Sequence, residues 1–253
     1  MLIDTHCHLQ DLDFYSDAER AEILRSLPEF GVEKVICIGT DPEDSLVAKR
    51  FAEANEPVFW TFGVHPNEWT EATAAQIEAL REEISGEKLV GVGEIGLDYH
   101  FEGFDRELQI RGFEYQLQLA MDLGLPVSFH IREAFDDFWG VVANFPKVRG
   151  VVHSFSDNKK QLRRILETTD FYVGVNGLAT YSTLPTPPLE RIILETDAPF
   201  LTPVPKRGKI NSPAYVKYVA DFLSTKLGAS VDQIAEETTK NAKQLFGFKN
   251  CQR

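Results

Sequence analysis

A chain of 253 residues, 43% hydrophobic, 11% aromatic and 26% charged, carries enough apolar material for a sizeable core and reads as one globular domain, 1–253, not a disordered tract. Its net charge of −13 argues against broad, sequence-independent wrapping of duplex nucleic acid by a basic surface. A nucleic-acid substrate stays open, because a divalent metal neutralises phosphate locally, and no apolar run approaches the roughly 18 residues of a membrane span.

The chain opens on Met1-Leu2-Ile3-Asp4-Thr5-His6, without the basic and apolar regions of a secretory signal, so the mature protein is expected to begin here and to be cytoplasmic. Cys7, Cys37 and Cys251 are widely spaced, which fits neither a disulfide framework nor a zinc finger and suits a reducing compartment. The first strand is predicted at residues 2–6; strand period turns His6 and His8 to one face and Cys7 to the other. Ser16 with Glu19 is a capping box that starts a helix. A second strand at 34–39 leads to Asp41-Pro42, an N-cap followed by proline at the first helical position. The third strand, 58–65, ends in a Gly-x-His-Pro turn, and the fourth, 89–94, closes on Glu94.

Gly91-x-Gly93-x-x-Gly96 matches the dinucleotide-binding fingerprint in form. That motif needs a helix to open straight after it, and Leu97-Asp98-Tyr99-His100 reads as loop, so the glycines are assigned to close backbone packing beside Glu94. A long helical pattern over 105–123 stops at Gly124; strands follow at 127–130, 149–153, 171–175 and 192–196, with helices after Ser156, Pro213 and Ser230, the last forming a second capping box with Gln233. Only 176–191 breaks the alternation: Pro185, Pro187 and Pro188 oppose a helix, so the seventh helix is expected to be missing and the barrel open or weakly covered there. Eight strands alternating with helices in this length give an α/β fold, a (β/α)8 TIM barrel.

His6, His8, Glu94, His130, His153 and Asp197 then fall at or just past strand ends, the face where such barrels place catalytic groups. Four imidazoles and two carboxylates in one pocket suit one or two borderline divalent ions. Two ions sharing a hydroxide would lower its pKa and clamp a displaced ester. Asp4 and Glu195 share the inward parity of His6 and Asp197 and are candidates for orienting the imidazoles. His100 has no assigned role.

Five stretches carry a resemblance that runs nearly end to end: Ile3-Asp4-Thr5-His6-Cys7-His8-Leu9, Gly63-Val64-His65-Pro66, Gly93-Glu94-Ile95-Gly96-Leu97-Asp98-Tyr99, Glu195-Thr196-Asp197-Ala198-Pro199 and Pro203-Val204-Pro205-Lys206-Arg207-Gly208-Lys209. The sequence resembles the TatD family of metal-dependent deoxyribonucleases, within the amidohydrolase superfamily. The resemblance implies two divalent ions, Mg2+, Mn2+ or Zn2+, one served by His6, His8, Glu94 and Asp197 and the other by Glu94, His130 and His153, with Glu94 shared. It implies 3′–5′ exonuclease-type hydrolysis of DNA, single-stranded or at 3′ ends, and RNA as a second substrate; no protein partner is evident. Asp197 and Glu94 are the expected catalytic carboxylates. His65 is read as a phosphate contact or proton shuttle, and Arg132, Lys206, Arg207 and Lys209 as contacts to flanking phosphates. Two features depart from the family: the missing helix after the seventh strand, and Asn176 where Ser is common. The alternatives are hydrolysis of an amide, lactone or aminoacyl ester, and a non-enzymatic metal-dependent scaffold; the basic loop 206–209 favours the phosphodiester over a neutral substrate.

Overall fold

All eight predicted strands form, parallel and hydrogen-bonded in chain order, in the computed structural model, which describes residues 1–248. They are β1 (Leu2–Cys7), β2 (Val32–Ile38), β3 (Val58–Phe62), β4 (Leu89–Asp98), β5 (Val127–Arg132), β6 (Gly150–Val152), β7 (Tyr172–Val175) and β8 (Ile192–Leu194). The helices are α1 (Asp17–Ser26), α2 (Pro42–Ala54), α3 (Thr73–Ala79), α4 (Arg106–Leu123), α5 (Phe135–Val142), α6 (Lys159–Thr168), α7 (Val216–Leu227) and α8 (Val231–Phe246). The ring closes from β8 back to β1 through few bonds: a parallel bridge between Cys7 and Ala198, Thr5 Oγ1 donating to Leu194 O at 2.9 Å, and the Asp197 and His8 amides donating to His6 O and Ala198 O at 2.8 and 2.7 Å. The chain is thus an α/β barrel. Cys251 lies outside the described residues.

Alternation along each strand sorts the core into an outer layer and an inner plug. On β2, Val35 and Cys37 pack outward with the helices, whereas Ile36 and Ile38 join Phe59, Val90, Val151 and Ile193 inside. The plug is completed by Leu245 and Phe246 from the end of α8. These strand residues come mostly from strand starts, so the apolar plug floors one end of the barrel and leaves the other for polar groups. Burial there removes water from beneath the site, which strengthens every charge interaction above it.

The expected start and stop signals hold. Ser16–Glu19 and Ser230–Gln233 form capping boxes on α1 and α8, Asp41 caps α2 with Pro42 at its start, and Gly124 ends α4 in the left-handed conformation. Asp105 caps α4 through Leu108 N. The proline-rich stretch between β7 and β8 forms 3-10 turns at Gly177–Thr180 and Leu189–Arg191, with no α-helix there among the described residues. The expected opening in the wall does not occur, because β7 and β8 pair at Val173–Ile192, Gly174–Ile193 and Val175–Leu194. The cover outside β7 is weak, as expected: Leu184, Pro185 and Pro187 line one cavity with Val173 and Val175 and with Phe222 and Leu223 of α7, where a helix would otherwise pack.

The largest difference from the sequence reading concerns β4 and β5. Residues 97 and 98, read as loop, are strand, and β5 runs past His130 to Arg132, because the two strands stay paired at Gly96–His130, Leu97–Ile131 and Asp98–Arg132. Conversely, β3 stops at Phe62 and β8 at Leu194, leaving His65 and Asp197 on the loops beyond. Gly96 permits the β4–β5 extension: its φ is 148°, and an added Cβ would lie 1.9 Å from His130 O. Gly96→Ala is therefore expected to destabilise the fold by about 3 kcal/mol or more, the sum of backbone strain and a clash with main chain. Urea unfolding within about 0.5 kcal/mol of the parent would contradict this close approach.

Candidate metal centre

β1 delivers His6 to the open end of the barrel and His8 follows directly after it, β4 supplies Glu94, β5 His130, and the segments after β6 and β8 His153 and Asp197. Glu94 is the hub. Its Oε1 lies 2.6 Å from His130 Nδ1 and 3.8 Å from His153 Nε2, and its Oε2 lies 3.5 Å from His6 Nε2. Asp197 Oδ1 faces His6, His8 and His153, with Nε2 atoms at 3.7, 3.6 and 3.7 Å. The His6 and His153 rings stack with centroids 3.4 Å apart. His8, Glu94, His130, His153 and Asp197 line a cavity of about 470 Å³, together with His65 and Arg132. Asp197 has φ 57°, and Ser154, next to His153, has φ 46°, so the chain turns sharply where it presents these groups.

Supporting contacts fix each ring. His8 Nδ1 is 3.1 Å from Ile38 O, His6 Nδ1 3.3 Å from Ser128 Oγ across the barrel, and His153 Nδ1 3.0 Å from Glu195 Oε2. Glu195 in turn accepts from Ser154 N at 2.7 Å and Asn176 Nδ2 at 3.1 Å. The residue that departs from the family pattern thus helps hold the carboxylate behind His153. Asp4 does not orient an imidazole: its side chain accepts from Thr196 Oγ1 at 2.6 Å and Thr196 N at 2.8 Å, locking β1 to the segment before Asp197. Burial pushes the Asp4 carboxyl well above its ordinary range.

Asp98 was hidden by its assignment to a loop. Its Oδ2 lies 3.1 Å from His130 Nε2 and accepts from Asn67 Nδ2 at 3.3 Å, and His65, Asp98 and His130 bring one donor atom each within 4.8 Å of one another. Gln109 and Gln116, seven apart on α4 and so on one face, clamp the strand ends that carry these groups. Gln109 exchanges two hydrogen bonds with the Asp98 backbone, both 2.9 Å, and Gln116 two with that of Val64, 2.8 and 2.9 Å. Buried glutamines on an amphipathic helix were the overlooked signal.

Burial tends to neutralise every group in this pocket, so the charges that persist do so through their partners. Burial alone would lower His8, His130 and His153, yet Asp197 raises His8, Glu94 and Asp98 raise His130, and Glu195, Glu94 and Asp197 raise His153, each to about 9. Burial likewise works against the Glu94 carboxylate, but His130, His153 and His6 hold it well below its usual range; Asp197 is lowered in the same way, chiefly by His8. Asp98 is brought to about 2 by His130 and the His100 amide, against its own desolvation. His6 is lowered by burial and by His153. His65 falls to about 4 through burial and the adjacent His130 ring. Its Nδ1 accepts from Asn67 N at 3.2 Å, which assigns the proton of the neutral ring to Nε2.

The donor set suits a divalent cation. His6 Nε2 is buried without a hydrogen-bond partner, and His6, His8 and Glu94 each bring a donor atom within 4.8 Å of the other two. An unpaired buried imidazole nitrogen between two carboxylates is costly unless something electrophilic occupies the gap.

The sequence-derived substrate residues separate. His65 and Arg132 line the cavity. Arg207 does not: its guanidinium lies over Tyr181 at 3.9 Å and donates to Thr202 O at 3.2 Å. Lys206 sits over Tyr215 and Tyr218, and Lys209 is exposed outside the cavity lining. Of these four Lys and Arg residues Arg132 alone lines the pocket, and the basic loop stands further out. His100 pairs with Glu133 at 2.7 Å, outside the cavity lining.

The chain is similar to known proteins over nearly its whole length. The family of TatD related DNases matches residues 3–247. A Bacillus subtilis protein named as the uncharacterized metal-dependent hydrolase YabD is 32% identical over 255 residues, covering 97% of this chain and 99% of its own. The 3′-5′ ssDNA/RNA exonuclease TatD of Pantoea ananatis is 31% identical, covering 98% of this chain and 100% of its own. Among solved structures, YJJV, a TatD homologue from Escherichia coli, superposes with a TM-score of 0.84 at 30% identity, over 97% of this chain and 98% of that one. Among the described residues no helix is long and apolar enough to cross a membrane.

Proposed function

Starting from the fact that this chain belongs to the TatD family of metal-dependent hydrolases, we propose that it is a 3′–5′ exonuclease that hydrolyses phosphodiester bonds of single-stranded DNA, and of RNA as well. The observation that carries the reading is the convergence of four imidazoles on Glu94 and Asp197 in a cavity whose rim holds Arg132. A neutral amide or lactone gains nothing from a guanidinium there, whereas an anionic phosphodiester does.

In this reading His6, His8, Glu94 and Asp197 would hold one divalent ion, and Glu94, His130 and His153 would hold a second. When bound, such ions draw charge from the non-bridging phosphate oxygens and make water acidic enough to act as a nucleophile near neutral pH. Asp197, kept ionised by the surrounding imidazoles, accepts the proton of the attacking water. His65, neutral with its proton on Nε2, donates a hydrogen bond to the departing 3′-oxygen, which leaves as the alcohol by taking up the proton that Asp197 received from the water. Arg132 pairs with a flanking phosphate. Asp98 and Glu195 fix the rings of His130 and His153, so the ligand cage is set before substrate arrives.

The test is the metal-reconstituted protein on an end-labelled single-stranded oligonucleotide, with Glu94→Ala as control. The expected result is stepwise shortening from the 3′ end, abolished by EDTA and absent in the control. An intact strand with a fully metal-loaded enzyme overturns the reading, and internal cuts or loss from the 5′ end overturn its polarity.

A further inference from the structure

Five aromatic side chains are exposed among the described residues: Phe14, Phe101, Phe104, Tyr181 and Phe200. All five lie on segments that follow strands, after β1, β4, β7 and β8, and so on the face that holds the metal centre. The outer faces of the helices and the far end of the barrel carry none in that set. An exposed ring costs free energy in water, and rings gathered around one pocket mark a binding surface.

We infer that Phe200, braced by Phe14, together with the Phe101–Arg132 and Tyr181–Arg207 pairs, forms stacking platforms for the unpaired bases of a single strand whose end lies in the metal pocket. The inference rests on the phosphodiesterase reading and gives that site its preference for unpaired strands. Phe200 is 49% exposed, lines the metal cavity, and has its amide bonded to Asp197 O at 2.8 Å. Its ring centroid lies 6.4 Å from that of His8 and meets Phe14 edge-on at 5.4 Å. The Phe200 ring therefore stands beside a metal-ligand candidate at the edge of the cavity.

The other two rings bear cations. Arg132 lines the cavity and lies 5.5 Å from the centre of Phe101, which is 55% exposed. Arg207 lies 3.9 Å from that of Tyr181, three residues beyond Leu178 in the cavity wall. Ring and guanidinium together match the two chemistries that alternate along a nucleic-acid strand, a flat base and an anionic phosphate. A protein partner would call for one continuous apolar patch, whereas these rings are divided among loops and mixed with charge. Bases in a duplex have no free face, so these platforms serve only unpaired strands and tolerate any sequence.

The metal-loaded protein, Phe200→Ala and Phe200→Trp are compared on two single strands of equal length, one bearing bases and one abasic near its 3′ end. Wild-type binding is followed separately by the fluorescence of 2-aminopurine at the 3′ terminus. Phe200→Ala is expected to raise KM for the base-bearing strand about tenfold more than for the abasic one, Phe200→Trp to restore it, and wild-type binding to quench the 2-aminopurine. Equal effects on both strands overturn the platform assignment, whatever the stability of the variants. Quenching without cleavage of either strand leaves the platforms standing and removes the phosphodiesterase reading; cleavage without quenching removes only the platforms. Neither signal removes both.

Discussion

Asp197→Asn is expected to fold normally and to lose phosphodiester turnover by about 10²–10⁴-fold, the range for loss of a positioned proton acceptor. The backbone permits the exchange: Asp197 sits at φ 57°, a conformation that Asn adopts nearly as readily as Asp, and its amide and carbonyl bonds to His6 and Phe200 do not involve the side chain. What changes is charge. The amide neither attracts the imidazoles of His6, His8 and His153 nor takes a proton from water. Glu94, His130, His153 and Arg132, the groups assigned to holding the phosphate through a metal or directly, are unchanged in this variant, so KM is expected to change far less than kcat. Circular dichroism and metal content would separate misfolding and metal loss from the chemical defect. A well-folded variant turning over a single-stranded oligonucleotide at near wild-type rate would remove Asp197 from the mechanism.

The groups that meet at the barrel mouth were readable because they obey strand parity. His6 and His8 two apart, and His130 and His153 closing apolar runs, need only a parallel sheet to be brought together. Contacts set by strand pairing were hidden. Nothing in Leu97-Asp98-Tyr99 announces that β4 continues; the extension comes from β5 running alongside it, and Gly96 makes room for the β5 backbone. Asp98 was lost with that boundary, and with it the partner of His130 Nε2. Asp4 shows the opposite failure. Its inward parity was right, but parity does not select a partner, and Thr196 lies close enough to capture both oxygens. The loop 206–209 looked like part of the pocket because charge in a sequence carries no direction, whereas Tyr181 draws Arg207 aside.

Glu94→Gln is expected to lower metal affinity by at least about 100-fold and to change the protons released on binding. In the metal-free protein Glu94 touches three imidazoles and is a leading cause of the raised pKa values, about 9, of His130 and His153; His8 stands at about 9 chiefly through Asp197. All three are protonated at pH 7, and a nitrogen that binds a cation must first lose its proton. Metal uptake at pH 7 is therefore expected to release roughly three protons, so affinity climbs with pH to about 9 and levels off above it. The stability of the metal-free protein runs the other way. Histidines raised in the folded state stabilise it fully below their unfolded value of 6.5, and that contribution disappears as pH rises through about 9. The lowered Glu94 contributes above its unfolded value near 4.5 and loses that contribution as pH falls towards its folded pKa. His6 and His65, lowered in the folded state, work against stability below 6.5, where the unfolded chain takes up protons that the folded one does not. The metal-free protein should therefore be most stable at about pH 6.5, and chelation should destabilise the protein more at pH 9 than at pH 6. Calorimetry in buffers of different ionisation enthalpy counts the protons, and thermal unfolding with and without EDTA across this range checks the linkage. In Glu94→Gln the proton count should fall, because His130 and His153 lose the carboxylate that kept them charged. An unchanged count would mean that these imidazoles owe their charge to other groups, and Glu94 would no longer be the hub of the site.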